Sequence, residues 1–383
     1  MTTSLRSPPP APARLAARRP QRTRCAASEP PSLQRRTLLA GSALLPGLTA
    51  LQAGAAPGLD NIGLHVVLTG ANSGIGFDAA RKLAERGYTV TLACRTLAKA
   101  EAAAELLRAG NVWGTLVPAE CDLADLSSIR RFAASVKQPV HVLALNAGLQ
   151  WSGEQVVHRT VDGFEESVGV NHLGHFLLAN LLLPVLEETA KTAPRRPRIV
   201  VTASEVHDPA KAGGAVGAPA GLGDFAGVKR EGARFELFDG SAFIADKAYK
   251  DSKLMNLLFT RTLDRRLRAA GSPVDVLAFG PGLITRTGFF RNQPAIFTAL
   301  FDFATNDVFR VAETVSGGGD CLVRMATDSA LDGRSGEYWN NDIDSEHFGR
   351  HVFGVGQPSA EALSDAEGEE LWDISARLTG LAA

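Results

Sequence analysis

The chain has 383 residues and a net charge of −1. Its length suits one large α/β domain, and its balanced charge gives no electrostatic support to a nucleic-acid role. Four cysteines (Cys25, Cys94, Cys121, Cys321) without CxxC spacing, and eight histidines without an HExxH pattern, argue against a disulfide framework and a structural zinc site. No metal is expected.

Residues 1–57 stand apart. They hold eight arginines and one acid, Glu29, a charge of +7 that leaves −8 on residues 58–383. Residues 1–31 are rich in Pro, Arg, Ala and Ser, the composition of a transit peptide. Arg35-Arg36 then opens an apolar run to about Leu51, followed by small residues. Pro46 and several glycines break the run, which is short for a membrane span. The arrangement resembles a twin-arginine signal behind a plastid transit peptide, which would direct the protein to thylakoids. The plainer alternative is a single Arg-rich transit peptide. Residues 58–383 are expected to form one domain, in the plastid stroma or at the thylakoid.

That domain opens with His65-Val66-Val67-Leu68-Thr69, the pattern of a buried parallel strand. It runs into Gly70-Ala71-Asn72-Ser73-Gly74-Ile75-Gly76, then an apolar-spaced helix from Phe77 to Arg86, then a strand from Tyr88 to Cys94. Strand, Gly-rich turn, helix and strand make a dinucleotide-binding βαβ unit. Gly70 permits the tight turn, Gly74 a close backbone approach to a pyrophosphate, and Gly76 close packing of helix on strand. Asn72, Ser73 and Ile75 complete the turn, whose helix N-terminus offers N–H groups to phosphate. The second strand ends in Arg95, with Lys99 a turn later, where an NAD site carries an acid. A guanidinium fork suits a 2′-phosphate, so NADP (NADPH) is the expected cofactor.

Asp122 and Leu123 follow the third strand, and Asp122 is placed to accept from the adenine amino group. The strand Val140–Leu145 ends in Asn146-Ala147-Gly148, small residues that let the backbone pass beneath the cofactor. The alternation predicts a doubly wound, Rossmann-like parallel sheet.

Four residues carry the chemistry. Asn171 opens the apolar helix Phe176–Leu186, Ser204 ends the strand Ile199–Ser204, and Tyr249 and Lys253 stand four apart on one helix face. A free Tyr titrates near 10. An ammonium one turn away favours its phenolate, which makes proton delivery easier. Lys253 also reaches the nicotinamide ribose, Ser204 orients the reacting group, and Asn171 holds a water chain that refills the proton.

These motifs, with Pro281-Gly282, resemble the short-chain dehydrogenase/reductase superfamily over residues 64–320. A narrower resemblance is to light-dependent protochlorophyllide oxidoreductases. The interval from Ser204 to Tyr249 is long, as in that family. The strings Asn171-His172-Leu173-Gly174-His175-Phe176, Leu222-Gly223-Asp224-Phe225, Lys247-Ala248-Tyr249-Lys250-Asp251-Ser252-Lys253, Thr287-Gly288-Phe289-Phe290-Arg291, Ser335-Gly336-Glu337-Tyr338-Trp339 and Leu371-Trp372-Asp373-Ile374-Ser375 are similar to it. The resemblance implies hydride transfer from NADPH to a tetrapyrrole double bond in chlorophyll biosynthesis. Three positions depart from the family. Met255 stands where it has a pigment-linked Cys, Gln150 where it has a Tyr, and Ser204 where it usually has Thr. They keep two alternatives open: a plastid dehydrogenase acting on a carbonyl or hydroxyl of a hydrophobic isoprenoid, or a non-catalytic NADPH-binding regulator.

The insertion 205–248 is Gly/Ala/Pro-rich and then charged, a composition that predicts little regular structure and a lid beside Tyr249. Phe289, Phe290, Phe297, Phe301, Phe303 and Phe309 crowd one later stretch, suited to a flat or polyene substrate, to membrane contact, or to plain core packing. No transmembrane run is expected beyond the leader. The expected partners are a small hydrophobic substrate, the thylakoid surface as a peripheral contact, and a second copy of the chain.

Overall fold

Five consecutive buried residues make the first strand, β1 (His65–Thr69). A strand covered on both faces has no solvent side to alternate with, so it reads as an unbroken apolar run. Burial is nearly as complete in β2 (Thr89–Cys94), and β3 (Leu116–Glu120) is more open. β4 (Val142–Leu145), β5 (Arg198–Thr202) and β6 (Asp275–Gly280) are buried throughout. β7 (Tyr338–Ile343) and β8 (His351–Val355) complete a sheet ordered β3-β2-β1-β4-β5-β6-β7-β8. Its pairs are parallel except β7 with β8. The computed structural model describes residues 61–110, 112–137, 139–284, 312–344 and 349–381. The leader and the phenylalanine-rich stretch lie outside the described residues.

The principal helices are α1 (Gly74–Glu85), α2 (Leu97–Ala109), α3 (Leu126–Ser135), α4 (Gly174–Ala190), α5 (Ala226–Glu231), α6 (Ala245–Ala269), α7 (Val315–Thr327) and α8 (Asp365–Thr379). One core layer joins α1, α2 and α7 to one face of the sheet through Ala80, Leu83, Ala104 and Leu322. The other joins α3, α4, α6 and α8 to the opposite face through Ile129, Phe176, Leu258 and Leu371. This is the doubly wound α/β architecture. Strand order reverses where β2 and β4 flank β1, and a crevice at the carboxyl ends of the strands is the ligand position such a sheet provides.

Two segments are explained by how they pack. Glu166–Ala190 is long and apolar enough to cross a membrane by length and composition, but 72% of its apolar window is buried inside the domain. Apolar residues all round are what a central core helix needs. The insertion also packs more than its glycines imply. Leu222, Phe225, Val228, Phe235 and Phe238 are each at most 1% exposed. Phe235 and Phe238 meet edge to face with centroids 4.7 Å apart. The aromatics supply a local core that lets the short α5 form within an otherwise irregular segment.

Candidate active site

The turn after β1 is built on close approach. Gly70 has φ +68°, and a Cβ there would stand 2.9 Å from the Ala147 Cα. A Cβ at Gly76 would fall 2.3 Å from the Gly70 carbonyl oxygen and 2.7 Å from Asn146 Nδ2. Only glycine lets α1 start this close to β1 and β4. Ser73 is the N-cap of α1, and its side chain makes no capping bond. The first N–H groups of the helix therefore face the crevice as an anion site.

The crevice is one continuous cavity of about 950 Å³. Gly70, Asn72, Ser73, Gly74, Ile75 and Gly76 line it beside Asn146, Ala147 and Gly148. Arg95, Lys99, Asp122 and Leu123 line one end, and Pro281 and Gly282 also border it. Arg95 and Lys99 are exposed. One carboxylate oxygen of Asp122 accepts from the Ala124 amide at 3.0 Å, which fixes the side chain. At the far end stand Ser204, Tyr249, Gln150 and part of the insertion. The glycine cradle, the helix N-terminus and the paired cations fit a dinucleotide carrying an extra phosphate.

Ser204 and Tyr249 meet through a side-chain hydrogen bond. Burial pushes the Tyr249 phenol above its ordinary value of 10, and the bond from Ser204 offsets only part of this. Lys253 Nζ lies 5.4 Å from the Tyr249 ring centroid and donates to the Thr202 carbonyl at 3.1 Å. Burial lowers its pKa to about 8. The sequence suggests an ammonium that draws the phenol down. Here burial governs both groups, raising Tyr249 and lowering Lys253, so Tyr249 is held as a neutral phenol.

Lys253 and Asn171 sit behind the cavity wall, 2% and 0% exposed. Asn171 lies in a π-helical turn, Gly169–Leu173, that leads into α4. Such turns widen the helix by one residue and recur at functional sites. Its Oδ1 accepts from Leu149 N at 2.9 Å, and its Nδ2 donates to Leu149 O and to Ser252 Oγ, each at 3.0 Å. The side chain clamps the 146–149 loop to the Tyr249 helix, where the sequence reading gives it a water chain.

A buried relay extends this clamp. His175 Nδ1 is 3.1 Å from the Asn171 carbonyl, and its Nε2 is 3.0 Å from Thr69 Oγ1. A carbonyl only accepts, so Nδ1 carries the hydrogen. Burial holds His175 at about 3, hence neutral, and Nε2 is an acceptor. Thr69 therefore turns its one hydrogen toward Nε2, with the Ala144 carbonyl a longer second acceptor at 3.3 Å, and accepts the Asn146 and Ala147 amides at 2.9 and 3.0 Å. The floor of the crevice is thereby tied to the π-turn. His172 belongs to another network, its Nε2 2.9 Å from Ser375 Oγ, so the two histidines do not share a ligand site.

Met255 is fully buried in the core beneath α6 and does not line the cavity. Six residues after Tyr249 on one helix, it is offset by about 240° and turned inward, so it does not stand in the cavity as a pigment-contacting residue would. Gln150 does line the cavity and donates to Asp246 at 2.8 Å. Glu205, next to Ser204, lines the same end. Burial and the nearby Asp342 raise its carboxyl, while Lys211 and His351 draw it back. Thr69, His175, Glu205 and Asp246 are absent from the sequence-derived site. A polar residue ending the first strand, and a His four after Asn171, were the available signals.

The chain belongs to the short-chain dehydrogenase/reductase family of oxidoreductase enzymes, and the short chain dehydrogenase family model matches residues 64–216. Within it, the chain is similar to protochlorophyllide reductases. It is 35% identical over 323 residues to the chloroplastic protochlorophyllide reductase of Chlamydomonas reinhardtii, covering 83% of this chain and 78% of that protein. It is 36% identical over 329 residues to protochlorophyllide reductase A of Oryza sativa subsp. japonica, covering 82% and 80%. Among solved structures, an uncharacterized protein from Mycobacterium paratuberculosis is 33% identical with a TM-score of 0.59, covering 83% of this chain and 94% of its own. The Pseudomonas aeruginosa RhlG/NADP active-site complex, at 21% identity and TM-score 0.55, covers 75% and 97% and shares the fold.

Proposed function

We propose that the chain is an NADPH-dependent plastid reductase of a large, flat, hydrophobic substrate, with protochlorophyllide the best fit. The observation that carries this is the single cavity of about 950 Å³ that runs from Arg95 and Lys99, past the glycine turn, to Ser204 and Tyr249. A dinucleotide fills the first part, and the second has room for a conjugated ring system. The chloroplastic relatives support both the pigment and the compartment. Peripheral contact with the thylakoid and self-association remain part of the proposal, each testable by co-sedimentation with thylakoid vesicles and by light scattering.

When bound, NADPH supplies the hydride. Gly70–Gly76 and the start of α1 would hold the pyrophosphate, and Arg95 with Lys99 would take the 2′-phosphate. Asn146–Gly148 would set the nicotinamide end, with Lys253 behind them, held to the Thr202 carbonyl and short of the ribose contact the sequence suggests. Tyr249 keeps its proton on Oη until negative charge develops on the substrate, then gives it up as general acid. Ser204 holds the Tyr249 hydroxyl in place. Asn171 and His175 keep the loop and helix that carry these groups in register.

A second reading has its own support. Gln150, Asp246 and Glu205 make part of the far end polar and acidic, which suits a hydroxyl-bearing isoprenoid. The test is to mix the purified chain with NADPH and protochlorophyllide, in darkness and after a flash, with a carotenoid or retinoid carbonyl in parallel. Pigment loss only after light supports the first reading. Dark turnover of the isoprenoid supports the second, and binding of NADPH without turnover of any of these supports a regulatory role.

A further inference from the structure

The Tyr249 helix has a second working face. Lys247, Lys250 and Asp251 stand at i, i+3 and i+4, turned toward the insertion. Lys250 Nζ donates to three main-chain carbonyls, Gly214 at 2.9 Å, Val216 at 2.5 Å and Ala218 at 3.0 Å. An ammonium has three hydrogens, and this one spends all three on a single loop. Lys250 borders the cavity yet is only 6% exposed, and an ammonium so little exposed is costly to leave unpaired.

Beside it, Lys247 Nζ donates to the Gly221 carbonyl at 2.7 Å and to Asp251 at 2.6 Å. Asp251 in turn accepts the Gly221 amide at 3.0 Å. Beyond one helical turn, Ala212–Ala215, and the packing of Gly214 against the Asp208 backbone, side chains contribute little to holding the loop. Residues 212–218 read Ala-Gly-Gly-Ala-Val-Gly-Ala, and the one large side chain, Val216, is 73% exposed. Yet Gly213, Val216, Gly217 and Ala218 line the far end of the cavity.

We propose that Lys250 is a positioning residue that locks residues 212–218 to the catalytic helix, making this part of the insertion a fixed wall of the substrate end instead of a lid that opens. The sequence next to Tyr249 thus sets two things at once, the proton donor and the shape of the space in front of it. This rests on the far end being the substrate end, and it does not depend on which substrate enters.

Amide hydrogen exchange on the full chain, without ligand and with saturating NADPH, tests it. The bonded amides of this segment, Ala215 on the Lys211 carbonyl and Gly221 on Asp251, should be protected in both states, with exchange unchanged by NADPH within about twofold. Lys250→Met keeps the aliphatic stem and removes the donors. It should speed exchange at the Ala215 amide at least tenfold while leaving the NADPH Kd within twofold. Lys250→Arg, whose planar fork cannot meet three converging carbonyls, should fall between the two. If the methionine variant fails to fold, the parent and the arginine variant still decide the matter. An unprotected Ala215 amide in the parent, or exchange there unaltered by either variant, would overturn the proposal. With protochlorophyllide as substrate, Lys250→Met should raise KM at least tenfold and keep kcat within threefold. A fall in kcat with unchanged KM would count against a positioning role. A parent protein inactive on protochlorophyllide would sink the pigment reading and leave the exchange result to judge the wall.

Discussion

Replacing Lys253 by Met in the ligand-free protein should make the protein more stable at pH 7 and inactive. The ammonium is 2% exposed, and burial lowers its pKa from 10.5 to about 8. At about 1.4 kcal/mol for each tenfold in acidity, holding it charged in the fold costs about 3 kcal/mol. Methionine keeps most of the stem volume. The lost hydrogen bond to the Thr202 carbonyl offsets about 1 kcal/mol. That carbonyl is not orphaned, since Asn256 Nδ2 also donates to it at 3.0 Å. A net gain of about 2 kcal/mol is expected from these two magnitudes. The pH dependence carries a sign. The folded pKa is depressed, so between about 8 and 10.5 the unfolded chain binds more protons, and parent stability rises with pH across that window. The advantage of the variant should be full below pH 8 and close as pH approaches 10.5. Urea unfolding of both proteins at pH 7 and pH 10 measures it. A variant less stable than its parent at pH 7, or a difference independent of pH, would refute the placement of a destabilising charge at this site.

Three further outcomes follow from the same geometry. Tyr249→Phe keeps the ring and removes the proton, so turnover should fall by about 10²–10⁴ with NADPH affinity within twofold, read by single-turnover kinetics and fluorescence titration; retention of more than a tenth of the rate would place the proton elsewhere. NADPH should bind at least tenfold more tightly than NADH, and Arg95→Asp should erase or invert that preference; equal affinities in the parent protein would remove Arg95 from the site. Met255→Cys should change the pigment reduction rate less than about threefold and lower stability by about 1–2 kcal/mol, because it trims a buried side chain in the core; a large rate gain would show that this position reaches the substrate.

The parts of the site legible in the sequence are those whose signal is local. Gly70 is marked by its positive φ in the turn, and Gly76 by a Cβ that would fall against the Gly70 carbonyl, so both constraints show within seven residues of chain. Tyr249 and Lys253 show themselves by helical spacing. The parallel sheet follows from the apolar runs, since β1, β2, β4, β5 and β6 are covered on both faces. What escapes is contact at long range. His175 meets Thr69 across 106 residues, and no local pattern announces that pairing. The packing of the insertion depends on Phe225, Phe235 and Phe238 finding one another, which a Gly-rich composition hides. The burial of Met255 and the neutral state of Tyr249 are properties of the surrounding core, invisible until α6 is laid against the sheet.

The most direct test of the account follows the hydride. The purified chain is loaded with NADPH deuterated at C4 of the nicotinamide, in each of the two stereochemical forms, and protochlorophyllide is supplied and illuminated. Mass spectrometry of the pigment is then the measurement. One deuterium per reduced molecule, from one of the two labelled cofactors and absent when Tyr249→Phe replaces the parent protein, is the predicted result. Reduced pigment without label from either form would contradict hydride transfer across this cavity.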